Sequence, residues 1–319
     1  SEKEILVTDK KGILYYIING EKIEISGLPE IYVRGQGGLL DVAIHPNFSS
    51  NQIIYFTAGV TLEGEKGGNT ALYQAKLNKF NLENLKLLYK AQPNTKQGGH
   101  WGSRIVFDGK GHLYFGIGDR RNRDVNPQDL QRDGGKIYRL NLDGSIPKDN
   151  PFLNNENAID AVYAYGVRNP QGMVIHPKSG KLWENEHGPK GGDEINIIEK
   201  GKNYGWPKIT YGVNYSGTSI TDKREMPGME QPLYYWVPSI APSGMAFSTS
   251  GVYKKWKGDL FIGSLKFNYM EHLILRKNKV IRREKILDGI GRVRDVKEGP
   301  DGYLYICVEG KGILKVILK

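Results

Sequence analysis

Short apolar strands recur in pairs along this chain, and a turn containing Pro, Asp or Gly interrupts each pair. Clear copies run over 40–56, 105–115 and 294–306. Short apolar runs with such turns between them indicate antiparallel hairpins. The second strands of the pairs lie near residues 6, 54, 114, 182, 261 and 305. Six units of about 53 residues each predict an all-β fold, a six-bladed β-propeller of four-stranded antiparallel blades, in a single domain over 1–319.

The first repeat is shorter than the others. Its strand pattern starts at Ile5, and only four polar residues precede it. The stretch 5–15 parallels 304–314, which is the second half of the last repeat. We therefore expect the first blade to be incomplete at the N-terminus and to lack its inner strands. Either the chain is truncated there or the blade is built unusually, and the start fits either a cytoplasmic protein or one whose leading segment was removed.

Composition and charge exclude several classes of protein. Hydrophobic residues make up 39% of the chain, and no apolar run approaches the about 18 residues of a transmembrane helix. The single cysteine, Cys307, excludes an intrachain disulfide and a cysteine metal cluster. The net charge of +10 comes from scattered basic residues without an aromatic-interleaved strip. That pattern favours a solvated lysine-rich surface over a nucleic-acid-binding one.

Candidate chemistry gathers at the ends of the predicted strands. His100 lies just before an inner strand, and Asp119 ends the next strand of the same repeat. A carboxylate beside a histidine can orient it and raise its basicity, as a general base requires. Arg168 and Asn169 precede the third inner strand. Each of these residues alone fits an ordinary polar loop, and their coincidence favours a site.

Two further groups suggest an anionic ligand and a metal. Lys266, Arg292 and Arg294 lie at matching ends of neighbouring predicted blades, and the two arginines alternate on one strand and so share a face. Converging cations suit a multiply anionic ligand. Gly188 and Pro189 lie in a glycine-rich bend beside acidic residues, and Ca²⁺ takes carbonyl and carboxylate oxygens.

Several stretches of this sequence resemble the soluble pyrroloquinoline-quinone (PQQ) dependent aldose sugar dehydrogenases, the glucose/sorbosone dehydrogenase family. The similarity runs from about residue 27 to 318. The most specific stretches are 35–42, 165–173, 185–189, 191–196 and 203–207. The family's fold is a six-bladed propeller, which agrees with the count of repeats.

The resemblance implies a role for each matched residue. His100 matches the base that takes the proton from the anomeric hydroxyl as hydride passes from C1 to the quinone C5, and Asp119 matches its supporting carboxylate. Gln36 and Arg168 match residues close to the substrate and the quinone. The other residues implied to hold PQQ are Asn169, Gln171, Lys266, Arg292 and Arg294.

The resemblance also implies a metal and a stacking wall. Gly188 and Pro189 match residues whose carbonyl oxygens bind a Ca²⁺ that bridges to PQQ. Trp236 is expected to form a ring-stacking wall and Ser239 a cofactor contact, although this segment is one residue longer than in some family members. Tyr211 and Glu230 are a weaker suggestion for a second Ca²⁺ site.

The resemblance further implies an aldose substrate, a quinone, dye or small redox protein as electron acceptor, and a periplasmic or extracellular location. Two alternatives stay open. One is a ligand-binding propeller without redox activity, and the other is a Ca²⁺-dependent lactonase or esterase on the same fold. The base and the cofactor cations coexist here, which favours the enzyme over the binding module. A lactonase would need several carboxylate and amide side chains around an axial metal, and the sequence offers carbonyl positions instead.

Overall fold

The structure, a computed structural model, describes residues 3–61 and 64–318. Its strands form six antiparallel sheets in chain order, as predicted for a six-bladed β-propeller. Four sheets have four strands, and the first and last have three. No helix in the described ranges is long and apolar enough to cross a membrane.

The first three sheets use the strands up to residue 165. Sheet 1 contains β1 (Glu4–Asp9), β2 (Ile13–Ile18) and β3 (Glu21–Ile25). Sheet 2 contains β4 (Leu39–Ile44), β5 (Ile53–Val60), β6 (Asn69–Asn78) and β7 (Asn81–Lys90), with the short helix α1 (Phe48–Asn51) between β4 and β5. Sheet 3 contains β8 (Ile105–Phe107), β9 (His112–Ile117), β10 (Lys136–Asn141) and β11 (Val162–Tyr165).

The other three sheets use the remaining strands. Sheet 4 contains β12 (Pro170–Ile175), β13 (Leu182–Glu186), β14 (Asp193–Ile198) and β15 (Tyr234–Trp236). Sheet 5 contains β16 (Pro242–Phe247), β17 (Leu260–Ser264), β18 (Met270–Arg276) and β19 (Lys279–Ile286), with a 3₁₀ turn at Lys254–Trp256. Sheet 6 contains β20 (Val293–Glu298), β21 (Leu304–Val308) and β22 (Gly312–Lys315).

The chain divides into two compact units, each with three consecutive sheets. The first comprises Lys3–Asn169 with Lys200–Trp206, and the second comprises Pro170–Glu199 with Pro207–Lys319. The expected single domain over 1–319 stays a prediction.

The hydrophobic core of each unit lies between neighbouring sheets. In the first unit, Leu14 of sheet 1 packs in one cluster with Phe56 of sheet 2. In the second unit, Phe261 of sheet 5 packs in one cluster with Ile306 of sheet 6. Two of the second strands, β5 and β17, are therefore buried on both faces over nearly their whole length. This explains why these strands read as continuous apolar runs rather than as strict alternation.

The expectation that the first blade lacks its inner strands is confirmed for one strand, because sheet 1 has three strands among the described residues. In sheet 2, the second strand donates from Thr57 Oγ1 to the Ser103 carbonyl near the start of the next sheet, at 2.9 Å. β1 makes the equivalent bond, from Thr8 Oγ1 to the Leu40 carbonyl at 2.8 Å. β1 therefore holds the second-strand position, and sheet 1 consists of the second, third and fourth strands of a blade.

Candidate active site

The candidate base, His100, lies in the loop that leads from β7 to β8. Its φ of 55° is in the left-handed region, which a non-glycine residue adopts at a cost of about 1 kcal/mol or more. Its backbone N–H donates to Gln36 Oε1 at 2.8 Å, and the Gln36 N–H donates to the Gly98 carbonyl at 2.7 Å. Gln36 therefore fixes the backbone of the histidine loop at two points.

The imidazole is paired with a fully buried carboxylate. His100 Nδ1 lies 2.6 Å from Asp119 Oδ1, and the His100 side chain is 12% exposed. Asp119 also accepts the Arg121 N–H at 2.7 Å and the Trp206 indole N–H at 2.8 Å. With Nδ1–H donating to Asp119, the Nε2 atom carries the lone pair. This is the tautomer that a general base requires.

The protonation states suit the same role. Burial lowers the pKa of the His100 imidazole below its usual value, although the hydrogen bond and charge of Asp119 oppose that effect. Burial alone would raise the pKa of the Asp119 carboxyl, but the hydrogen bond from His100, its charge and Arg168 outweigh it and hold the pKa below the usual range. At neutral pH the pair is therefore a neutral imidazole beside an ionised carboxylate.

Arg168 is part of the same cluster. Its carbonyl accepts the Asp119 N–H at 2.8 Å, and its guanidinium lies 5.3 Å from the centre of the Trp206 ring. The neighbouring Asn169 is buried, at 2% exposure. The structure thus brings four predicted residues of the first unit together, namely His100, Asp119, Arg168 and Gln36.

Sequence reasoning missed the residues that brace this cluster. Arg120 is 1% exposed and lies flat over the Trp101 ring, 3.5 Å from its centre. It donates to the carbonyls of Gly99 and Gln97, which flank the histidine loop. In the sequence, Arg120 belongs to a basic run that reads as surface charge. Trp206 lies in the conspicuous stretch 203–207, but nothing in that stretch points to a bond with Asp119.

In the second unit, Gly188 and Pro189 lie in a bend held by Asp193. Asp193 is fully buried and accepts the Gly188 N–H at 2.8 Å, the Ser239 hydroxyl at 2.7 Å and the N–H groups of Ile240 and Ala241 at 2.7 and 2.8 Å. Burial raises the pKa of this carboxyl, although the hydrogen bonds that it accepts act to lower it. The bend is thereby fixed by one side chain that the sequence analysis did not single out as a site residue.

The backbone of the bend is closely packed around Gly188. A Cβ on Gly188 would lie closer to the backbone of Gly191 and Gly192 than real Cβ atoms come, so only glycine fits this position. The described residues contain no group of three or more His, Cys, Asp or Glu side chains able to hold a metal. A metal held by this bend would therefore take backbone carbonyl oxygens, which are ligands that Ca²⁺ accepts.

The three predicted cofactor cations also lie in the second unit and are accessible. Lys266 is exposed, with Nζ 5.0 Å from the centre of the Phe267 ring. The Arg292 and Arg294 side chains are 47% and 50% exposed, and both contact Glu309. Exposed cations that share a face fit a ligand with several carboxylates.

The expected stacking wall is corrected by the structure. Trp236 is 1% exposed and belongs to the hydrophobic core cluster of sheets 4 and 5, so its ring has no free face for a cofactor. Ser239 is committed to Asp193, and the Gln171 side-chain amide donates to the Pro170 carbonyl at 3.0 Å. Their cofactor contacts stay predictions.

The suggested second calcium site also stays a prediction. The Tyr211 hydroxyl donates to Gln231 Oε1 at 2.9 Å, and its ring stacks on Tyr235 at 3.8 Å. These contacts give Tyr211 partners of its own.

Sheet 4 carries a buried acidic face that the sequence analysis overlooked. Glu184 and Glu186 alternate on β13, and they lie opposite Asn196 and Glu194 on β14. Burial and the charge of Glu186 raise the pKa values of Glu184 and Glu194 well above their usual range. The period-two spacing of Glu184 and Glu186 was visible in the sequence, but the register with β14 was not.

Comparison with known proteins shows which family the sequence and the fold match. The sequence model of the Glucose / Sorbosone dehydrogenase family matches residues 1–316. Aldose sugar dehydrogenase YliI of Escherichia coli is 41% identical over 311 residues, which are 96% of this chain and 84% of that protein. A crystal structure of a glucose dehydrogenase has a TM-score of 0.96 and 38% identity, covering 100% of this chain and 94% of that one.

A more distant similar structure is that of a PQQ-bound protein. The PQQ-bound form of an aldose sugar dehydrogenase from Streptomyces coelicolor has a TM-score of 0.79 and 25% identity, covering 98% of this chain and 90% of that one. The family model spans nearly the whole sequence, and similar chains superpose over nearly all of it. This chain belongs to the Glucose / Sorbosone dehydrogenase family.

Proposed function

We propose that this protein is a PQQ- and Ca²⁺-dependent oxidoreductase that oxidises the C1 hydroxyl of aldose sugars to lactones. The observation that carries the proposal is the buried His100–Asp119 pair, with Nδ1 2.6 Å from Oδ1. The family membership and the names of the similar proteins support it. A ligand-binding propeller without chemistry would not need a neutral, buried imidazole oriented by an ionised carboxylate.

The residues of the first unit handle the proton. His100 Nε2 takes the proton of the anomeric hydroxyl, and the charge that forms on the imidazole is stabilised by Asp119. Trp206 and the Arg121 N–H hold that carboxylate in place. Gln36 and Arg168 lie beside the pair, where the sugar and the quinone are to be oriented. Because His100 is 12% exposed, little water competes for its lone pair.

The residues of the second unit hold the cofactor. Lys266, Arg292 and Arg294 would pair with the carboxylates of PQQ, and the carbonyl oxygens of Gly188 and Pro189 would bind Ca²⁺. Asn169 of the first unit, Gln171 and Ser239 are proposed as further polar contacts. When bound, PQQ supplies a quinone that accepts the hydride leaving C1, and Ca²⁺ polarises the quinone carbonyl.

The oxidised form of the quinone cofactor must be restored after each turnover. We propose a quinone or a small redox protein as the natural acceptor, which an artificial dye can replace in an assay. We also propose a periplasmic or extracellular location, by analogy with the family.

Reconstitution tests the proposal. Apo-protein is mixed with PQQ, Ca²⁺, a panel of aldoses and a redox dye, and dye reduction is followed. We expect turnover that needs both PQQ and Ca²⁺ and falls by about 10²–10⁴-fold in His100→Ala, the range for loss of a general base. The matched control is His45→Ala, because the His45 contacts are local to its turn and sheet 2: Nδ1 accepts the Asn47 N–H and the Asn51 side-chain amide, and the ring stacks on Tyr55.

Three outcomes separate the hypotheses. Turnover that is lost only in His100→Ala supports the dehydrogenase. Tight PQQ binding without turnover on any aldose would indicate a ligand-binding propeller. Neither PQQ binding nor turnover would overturn the proposal altogether.

A further inference from the structure

The two arginines proposed to hold the cofactor already share a carboxylate from this chain. Glu309 Oε2 accepts hydrogen bonds from Arg292 Nε at 3.0 Å and from Arg294 Nη2 at 2.6 Å. Arg294 Nε lies 3.1 Å from the same oxygen. One oxygen of one glutamate therefore occupies the position between the two guanidinium groups.

The position of Glu309 is set by the backbone and not by burial. Its N–H donates to the Arg292 carbonyl at 3.0 Å, one residue beyond the pairing of Val293 with Val308 in sheet 6. The Glu309 side chain is 52% exposed, and the side chains of Arg292 and Arg294 are exposed to a similar extent. Exposed ion pairs contribute only about 0–1 kcal/mol, so an external carboxylate can displace this one.

The two arginines are not equally dependent on Glu309. Arg292 Nη1 also donates to the Leu265 carbonyl at 2.9 Å, which keeps its guanidinium in place without the glutamate. Arg294 makes two hydrogen bonds to Glu309. Removing the carboxylate would leave one arginine anchored and free the other to meet a ligand.

We propose that Glu309 is an internal competitor for the carboxylate groups of the ligand, and that it sets the affinity and selectivity of the Arg292–Arg294 pair. This inference rests on the function proposed above. A monocarboxylate gains little by replacing one carboxylate with another. A ligand with several carboxylates, such as PQQ, displaces Glu309 with one group while the others gain further cations. The pair therefore favours polycarboxylates over the small organic acids that also bear a carboxylate.

The charge balance fixes the direction of the effect. Arg292, Arg294 and Glu309 together carry one net positive charge, and removal of the glutamate charge raises it to two. A unit charge at about 4 Å in water interacts with another by about 1 kcal/mol, which corresponds to a factor of about five in affinity. The electrostatic free energy gained from the extra positive charge exceeds the entropic cost of ordering Arg294, the one side chain that loses its hydrogen bonds to Glu309.

The test is calorimetric titration of the apo-protein with PQQ at fixed Ca²⁺, with no sugar and no dye. Glu309→Gln keeps the shape of the side chain and removes its charge, and we expect about fivefold tighter PQQ binding. We also expect acetate at equal concentration to compete more strongly with PQQ in this variant than in the wild type. The matched control is Glu199→Gln, since Glu199 is 45% exposed and pairs with Lys181 in the same unit. It changes net charge equally and should leave the affinity unchanged.

Arg294→Gln separates this inference from the proposed function. If Arg294→Gln weakens PQQ binding while Glu309→Gln leaves it unchanged or weakens it, the competitor role is wrong and the proposed cofactor site stands. If Arg294→Gln has no effect, the assignment of the arginines is wrong and the inference falls with it. Equal tightening in Glu309→Gln and Glu199→Gln would show an effect of net charge alone, which also overturns it.

Discussion

At the scale of single residues, Asp119 connects three segments that are distant in sequence. Its carboxylate accepts hydrogen bonds from the His100 imidazole in one loop, from the Arg121 N–H in its own turn, and from the Trp206 indole in the stretch after β14. Its full burial makes each of these bonds necessary, because a buried carboxylate without donors is strongly destabilising. The residue thus serves both the fold of the first unit and the proposed chemistry.

Asp119→Asn should therefore change the pH dependence of the reaction as well as its rate. The carboxylate raises the His100 pKa against burial, so its loss lowers that pKa further below 6.5. Since only the neutral imidazole acts as a base, the acid limb of kcat/KM should move to lower pH. The maximal rate should fall by about 10²–10⁴-fold because the imidazolium loses its stabilising charge. An acid limb that stays in place or moves to higher pH would contradict this role, and circular dichroism would show whether the variant is folded.

The sequence identified His100 and Asp119 because both lie at the ends of apolar strands, where polar residues stand out. It could not identify Trp206 as a partner, because a contact across 87 positions leaves no local pattern. Arg120 was hidden for another reason. A buried arginine and a surface arginine look alike in a basic run, and only the three-dimensional position of Trp101 distinguishes them.

At the scale of elements, the bend between β13 and β14 shows how one buried side chain fixes a short connection. Asp193, the first residue of β14, holds the bend and the stretch 239–241 together by accepting hydrogen bonds from three backbone N–H groups and one hydroxyl. Gly191 and Gly192 have φ values of 85° and 68°, which favour glycine. Glycine at three of the five positions 188–192 thus lets the backbone fold onto itself.

Gly188→Ala should deform this bend. The new Cβ would press on the backbone of Gly191 and Gly192, which cannot move aside as a flexible side chain would. We expect a loss of about 1–3 kcal/mol in the free energy of unfolding, together with weaker Ca²⁺ binding. Equilibrium denaturation and calcium titration measure the two effects. Gly251→Ala is the control, because no atom lies within 4 Å of its Cβ position, and it should alter neither quantity. Unchanged calcium affinity in a folded Gly188→Ala protein would remove the bend from the metal site.

The strand pattern predicted most elements because each hairpin carries its own turn residues. The repeat also predicted that the first blade lacks its inner strands; the bond from Thr8 to Leu40 shows that one is missing among the residues that the structure describes. It could not predict that Trp236 would turn into the core, since an aromatic residue at a strand end serves equally well as a wall or as core.

At the scale of the whole molecule, the propeller was predictable from six similar hairpin units. The placement of charge was not predictable. The net charge of +10 coexists with three glutamates on one face of sheet 4, two of them nearly fully buried. The net charge of the chain does not reveal such a local cluster of acidic residues. Its effect on stability follows from the pKa shifts of its members.

Glu184→Gln should make the protein more stable at high pH than the wild type. The folded-state pKa of Glu184 lies well above its unfolded value of about 4.3, so the folded protein holds this proton more tightly. That contribution is complete below the unfolded pKa and is lost as the pH rises through the folded pKa. We expect the advantage of the variant to grow as the pH rises above the unfolded pKa, by at most about 1.4 kcal/mol per pH unit. Urea unfolding at several pH values measures it, and an advantage that shrinks with pH would contradict the assignment.

The bond from Trp206 to Asp119 has a spectroscopic consequence. Indole emission responds to nearby charge, and this indole lies between an ionised carboxylate and the Arg168 guanidinium. When His100 gains a proton, the field at the ring changes without any movement of the backbone. The emission of Trp206, one of five tryptophans in the chain, is therefore expected to depend on the charge state of the pair.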